Sequence, residues 1–265
     1  MSDQHSHTGQ TWRLEHDSLG DVRVPADRYW GAQTERARHR FQIGNDPIPL
    51  ELIHAIACLK RMAAHTNHQL GVLDEQRCQW ISEAAREVEG GKLDGEFPLS
   101  CWQSGSGTQT NMNVNEVIAN RACELAGQAR GSRDVVHPND HVNRSQSTND
   151  VFPCAIHLAA ERQQRQALLP ALRQLVEALE SKAAAWDGVV KIGRTHLQDA
   201  VPLTVGQEVG GWAAQLRSAG ERLEQGLLEL RSIPLGGTAV GTGIGAPKGY
   251  PQAVCEQLSS CEGVQ

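Results

Sequence analysis

The chain has 265 residues, 39% hydrophobic and 21% charged, with 25 basic and 31 acidic side chains giving a formal charge of −6. That length suits one large domain or two smaller ones around a sizeable core. The mild acidic balance, without clustered Lys or Arg, gives no basis for a nucleic-acid or acidic-membrane partner, and no apolar run approaches the ~18 residues of a membrane span.

Residues 1–12 are polar and lack the apolar stretch of a secretory signal. They are predicted to be a disordered tail, in which His5 and His7 are solubilising rather than metal-binding. Residues 12–24 carry a weak strand signal, a short hairpin turning at Gly20-Asp21. After Pro47 and Pro49, the spacing of Leu52, Ile56, Leu59 and Ala63 predicts a helix. Asp74 is a plausible N-cap for a second helix carrying Ile81, Ala85 and Val88 and ending at Gly90-Gly91. Val114, Val117, Ile118, Arg121 and Leu125 predict a third, stopped by Gly127.

Two long helices follow. Asn149 or Asp150 is predicted to cap the first of them, with Pro153 in its opening turn. Leu168, Leu172, Leu175, Leu179 and Ala183 give its apolar stripe. Val205, Val209, Trp212, Leu216, Ala219, Leu223, Leu227 and Leu230 step by three or four over about seven turns, like a coiled-coil seam. Aromatics make up only 4%, so the core is aliphatic. No β-α-β alternation argues for a doubly wound sheet. The seven cysteines, Cys58, Cys78, Cys101, Cys123, Cys154, Cys255 and Cys261, contain no C-x-x-C pair. They read as reduced thiols of a cytosolic-type compartment.

Three segments between the helices are dense in Ser, Thr, Asn, Gln, Gly and His instead of the usual charges. The first, residues 102–116, runs from a Gly/Ser loop containing Ser106, Gly107 and Thr108 into a helix that begins with Asn111, Asn113 and Asn115. It fits an anion held by backbone N–H groups and hydroxyls, and equally a Ser/Thr-capped helix behind a flexible loop. The three amides are costly at a helix start unless they are used. The second, residues 137–150, starts with His137, Pro138, Asn139 and Asp140 and ends with Ser147, Thr148, Asn149 and Asp150. Capping accounts for one or two of these residues, and the others suit a small polar ligand. The third, residues 193–202, places Thr195 and His196 in a polar turn at a bundle end, beside Gln198 and Asp199. A lone histidine is more often structural. This setting points instead to general acid/base duty, since imidazole titrates near neutrality.

Neither a G-x-S-x-G elbow nor an H-E-x-x-H pattern is present. The remaining chemistry is metal-free proton transfer on a small anion, that is, elimination or hydration beside a carboxylate.

The runs 102–116, 137–150, 193–202 and 235–243 together resemble class II fumarate hydratase of the fumarase/aspartase superfamily. Aspartate ammonia-lyase is the nearest rival. It typically has Gln where this chain has His196, and it lacks the Trp102-Gln103-Ser104-Gly105-Ser106 form. The resemblance implies a mainly α fold, divided into a small helical domain at 13–144 and an incomplete long-helix bundle at 145–265. It implies reversible hydration of fumarate to L-malate, a reaction of the tricarboxylic acid cycle, in a cytoplasmic homotetramer without metal or cofactor. Ser106, Gly107, Thr108, Ser147, Thr148, Asn149 and Thr195 would hold the substrate carboxylates. His196 would activate water or carry its proton, and His137, Pro138, Asn139 and Asp140 would form a second anion site. The family's G-S-S-x-M-P-x-K-x-N loop, with its proposed carbon base, is absent from the 265 residues. The expectation is therefore a fragment inactive alone, an oligomerising or regulatory module, or half of a split enzyme.

Overall fold

The computed structural model describes residues 11–263. The predicted tail, with His5 and His7, lies outside the described residues up to position 10, and Trp12 already opens a strand. The chain divides into two compact units, Met1–Ile156 with Ile233–Gln265 and His157–Ser232.

In the first unit, strands β1 (Trp12–Asp17) and β2 (Gly20–Pro25) pair antiparallel, with Asp17 opposite Gly20. The turn is therefore Ser18-Leu19, not Gly20-Asp21. Gly20 receives the chain at φ +102°, a conformation open chiefly to glycine. Helix α1 (Ala32–Arg40) has no side-chain cap of its own. Its first turn is held by the carboxylate of Glu116, which accepts from the backbone N–H of Gly31 (2.9 Å), Gln33 (2.8 Å) and Thr34 (3.1 Å) and from the Thr34 hydroxyl (2.6 Å). Glu15 accepts from Ala32 N–H at 3.0 Å and pairs with Arg13 and Arg133. Gly31 fits between the two carboxylates, where a Cβ would lie 2.8 Å from one and 2.9 Å from the other.

Helices α2 (Leu50–Gln69), α3 (Glu75–Glu89) and α4 (Thr108–Leu125) form the core of this unit. α2 packs against α3, and α3 against α4. Their apolar faces follow the predicted spacing, with Ile53, Ile56, Leu59, Ile81, Val88, Val114, Val117 and Ile118 at 0–1% exposure. Each such aliphatic side chain contributes about 1.5–3 kcal/mol on burial. Asp74 caps α3 by accepting from Arg77 N–H. α4 stops ahead of Gly127, which is at φ +75°. One of the costly amides of α4 is used inside this fold: Asn113 donates to the Glu96 carbonyl at 3.0 Å and fixes the preceding turn. α5 (Thr148–Gln163) begins in this unit, and α8 (Tyr250–Glu262) packs on α2.

In the second unit, α6 (Leu169–Ala185) and α7 (Val205–Leu230) run antiparallel, as the ion pairs Arg173–Glu224 and Arg217–Glu180 show. Thr204 caps α7 in a reciprocal capping box with Gln207. The seam is narrower than predicted. Val176, Val209, Ala213 and Leu227 are buried, whereas Leu175 and Trp212 are half exposed. Residues 193–202 are not a simple polar turn. They belong to a hairpin of β3 (Val190–Thr195) and β4 (Gln198–Thr204). None of the seven cysteines forms a disulfide. No helix among the described residues is long and apolar enough to cross a membrane.

The Glu116 carboxylate generates a prediction. Both its oxygens face N–H donors, so the amide of Glu116→Gln must present its own NH₂ to one of them. The substitution is expected to cost about 1–3 kcal/mol, read as a lower urea midpoint with an unchanged slope.

Candidate active site

The predicted residues fall in two groups, one in each unit. In the first unit, Gly107 opens α4 in the left-handed region at φ +70°. A Cβ there would lie 2.5 Å from the Phe152 ring, so only glycine lets the start of α4 lie against α5. Ser106 and Thr108 hydroxyls are 3.0 Å apart at this start. Asn111 Nδ2 donates to Thr148 Oγ1 at 2.9 Å, tying the first turn of α4 to that of α5. The Ser147 hydroxyl oxygen accepts from Asn149 N–H (3.3 Å) and Asn149 Nδ2 (3.1 Å). Because Ser147 and Thr148 both act as acceptors inside the protein, each keeps its O–H proton to donate outward. Two helix starts with their positive dipole ends, and two hydroxyls whose oxygens are already taken as acceptors, suit a carboxylate.

The helix cap differs from prediction. The Ser147 carbonyl accepts from Asp150 and Val151 N–H, so Ser147, and not Asn149 or Asp150, precedes the helix. Pro153 then falls in the second turn. Asp150 reaches back instead, its Oδ1 accepting from Ser147 N–H at 2.9 Å. Its Oδ2 accepts from Gly236 N–H (3.1 Å) and Thr238 N–H (2.9 Å), which fastens the Gly-rich loop after residue 235 to the start of α5. Asp150 is 1% exposed.

Under this cluster lies a residue that the sequence reading passed over. Lys60, fully buried on α2, donates to Asn143 Oδ1 at 2.7 Å. The same oxygen lies 3.4 Å from Asn111 Nδ2. Burial pushes the Lys60 ammonium down to about 7, and the Asp150 charge opposes that shift. A sequence signal existed. Lys60 stands four residues after Ile56 and seven after Ile53, on the apolar face of its helix.

His137 precedes a wide turn, Pro138–Val142, and its Nδ1 accepts from the N–H groups of Asn139 (3.3 Å) and Asp140 (3.2 Å). The ring itself thus occupies the donors that an anion would use here, and Asn139 and Asp140 are exposed.

In the second unit, Thr195 pairs with Gln198, leaving His196 and Leu197 as the two-residue turn of the hairpin. Both have positive φ, 51° and 62°. Such turns normally take Asn-Gly or Gly, and left-handed backbone at other residues costs about 1–2 kcal/mol each. His196 is therefore held, exposed, at a strained tip. The described His/Cys/Asp/Glu group with metal-like spacing, Cys58, Cys261 and Glu262, includes none of these residues.

The family profile described as lyase matches residues 20–265. The chain belongs to the lyase family. Among lyases, it is 55% identical over 251 residues to the class II fumarate hydratase of Thermosynechococcus vestitus, covering 95% of this chain and 54% of that protein. It is 56% identical over 247 residues to a class II fumarate hydratase of Bradyrhizobium diazoefficiens, covering 93% and 52%. The crystal structure of a class II fumarase from Schistosoma mansoni superposes with a TM-score of 0.91 at 45% identity, covering 96% of this chain and 53% of that one. The β-carboxy-cis,cis-muconate cycloisomerase of Acinetobacter calcoaceticus, at 18% identity and a TM-score of 0.63, covers 88% and 50% and shares the fold alone. The resemblance to class II fumarate hydratases and the mainly α fumarase/aspartase fold are thus established. This lyase spans about half the length of the curated relatives it matches.

The buried lysine sets a pH dependence. Lys60 ionises near 7 in the folded lyase, against 10.5 for an ordinary lysine. Between those values the unfolded chain holds more protons, so this residue makes stability rise with pH from about 7 to about 10. Urea midpoints of Lys60→Met between pH 7 and 9.5 are expected to lose that rise. Parallel curves for the two proteins would contradict it.

Proposed function

We propose that this chain serves the reversible hydration of fumarate to L-malate. The observation that carries the reading is the pair of helix starts, α4 and α5, joined by Asn111 and Thr148 with the Ser147 and Thr148 hydroxyls left to donate. The identity of 50–56% to class II fumarate hydratases supports it. In this reading Ser106, Gly107, Thr108, Ser147, Thr148, Asn149 and Thr195 hold the two carboxylates, and His196 moves the proton of the water that adds. Removing a proton from carbon beside a carboxylate builds a second negative charge on that carboxylate. Donors already oriented by the fold strengthen on it without reorganising, which lowers the barrier. His137, Pro138, Asn139 and Asp140 form the second anion site, where an arriving anion would displace the imidazole from the two N–H groups it occupies.

The half-exposed Leu168, Leu175 and Trp212 and the more exposed Leu228, all in the second unit, suit burial in a helical bundle shared by four subunits. We assign residues 145–265 to that bundle, residues 13–144 to the smaller domain, and the assembly to the cytoplasm.

The test supplies the remaining half of the relatives' length. This chain is joined to the matching remainder of the Thermosynechococcus vestitus enzyme, and fumarate hydration is measured. The chimera is expected to turn over, and His196→Asn to lower kcat by about 10² or more. Asparagine tolerates the left-handed turn, so the loss reports the imidazole. A folded, tetrameric chimera without turnover, or one indifferent to His196→Asn, would overturn the reading.

A further inference from the structure

A pair of thiols outside the candidate site joins α2 to α8. Cys58 is fully buried on α2, and Cys261 is exposed in the last turn of α8. Their sulfurs and the Glu262 carboxylate lie within 4.8 Å of one another. Arg61, one turn beyond Cys58, contacts both sulfurs through Nη2, at 3.3 Å from Cys261 and 4.0 Å from Cys58. The guanidinium is held there from its other side by Glu89, through contacts of 2.7 and 3.0 Å. A fixed cation against both sulfurs opposes a metal ion and favours a thiolate.

We propose that Cys261 and Cys58 are a reversible redox pair that closes a disulfide between α8 and α2 in the presence of a low-molecular-weight disulfide. The Cys261 thiolate attacks one sulfur of oxidised glutathione, and the glutathione S–S bond breaks. One glutathione leaves as a thiolate and takes up a proton. Cys58 then gives up its proton, and its sulfur attacks the Cys261 sulfur of the mixed disulfide. The second glutathione leaves as a thiolate and takes up that proton. Two protein thiols are oxidised, and one small disulfide is reduced to two thiols. Closing the bond to about 2.05 Å requires rotation of the exposed Cys261 side chain toward its neighbour. Hydrogen bonding from Cys58, together with Arg61, lowers the Cys261 thiol to about 6 against burial, so the attacking form is populated at neutral pH.

The consequence lies in the Gly-rich loop. α8 follows directly from the segment that Asp150 fastens at Gly236 and Thr238. A bridge from α8 to α2 closes a covalent loop around both, so the oxidised form should melt several degrees higher.

The test uses the full chain. Purified protein is treated with oxidised glutathione, and peptides are mapped by mass spectrometry without reduction. The expected product is a Cys58–Cys261 cross-linked peptide, two hydrogens lighter and free of glutathione, reversed by dithiothreitol. In Cys58→Ser a glutathione adduct should persist on Cys261. With iodoacetamide at pH 6, Cys261 should react roughly tenfold faster than an ordinary thiol, with exposed Cys101 as the internal reference. A persistent glutathione adduct on Cys261 in the unaltered chain, or equal alkylation of Cys261 and Cys101, would overturn the proposal.

Discussion

An ionised carboxylate in a protein interior is stable only where donors replace its lost water. Asp150 meets that condition by joining two parts of the chain that are distant in sequence. One oxygen takes the N–H of Ser147 at the head of α5, and the other takes those of Gly236 and Thr238. The helix start, the hydroxyl cluster it carries and the Gly-rich loop therefore share one charged anchor. Lys60 lies under the same cluster, where the Asp150 charge counters the cost of its burial. The buried Asp150 carboxylate is not tolerable without its donors, so the polar floor of the candidate site resists rearrangement.

Under the proposed function, that rigidity is what lets neutral groups serve an anion. Hydroxyls are indifferent hydrogen-bonding groups until one role is taken. Here Asn111 claims the oxygen of Thr148, and Asn149 claims that of Ser147. The protons that remain point to one use, donation. His196 follows a different logic. The hairpin of β3 and β4 forces it into a left-handed turn, and strain of that kind is kept where position matters more than stability.

Helices α2 to α4 and the long helices after them were legible because their apolar residues recur at helical spacing and several ends carry punctuation, as with Asp74 before α3 and Gly127 after α4; the short α1 and α8 were not predicted. The β3–β4 hairpin was not. Val190, Ile192 and Val201 are all exposed, so the strands bury no continuous face and show no clean alternation, and the turn has none of the usual Asn-Gly chemistry. The candidate site stood out in the sequence as an excess of Ser, Thr, Asn and His over what capping needs. Of its supports, Lys60 had a signal in its place on the apolar stripe of α2, in line with Ile53 and Ile56, whereas the reach of Asp150 to residues 236 and 238 leaves no local pattern. The wide turn at Pro138–Val142 shows the same limit. His137 was visible as a polar residue in a ligand-like run, but its occupation of the Asn139 and Asp140 N–H groups is a matter of ring position alone.

Amide hydrogen exchange on Asp150→Ala tests the anchoring role of this carboxylate most directly. The Ser147, Gly236 and Thr238 amides, each bonded to Asp150, should lose protection together, while amides in the middle of α3 keep theirs. Unchanged protection at all three would contradict it.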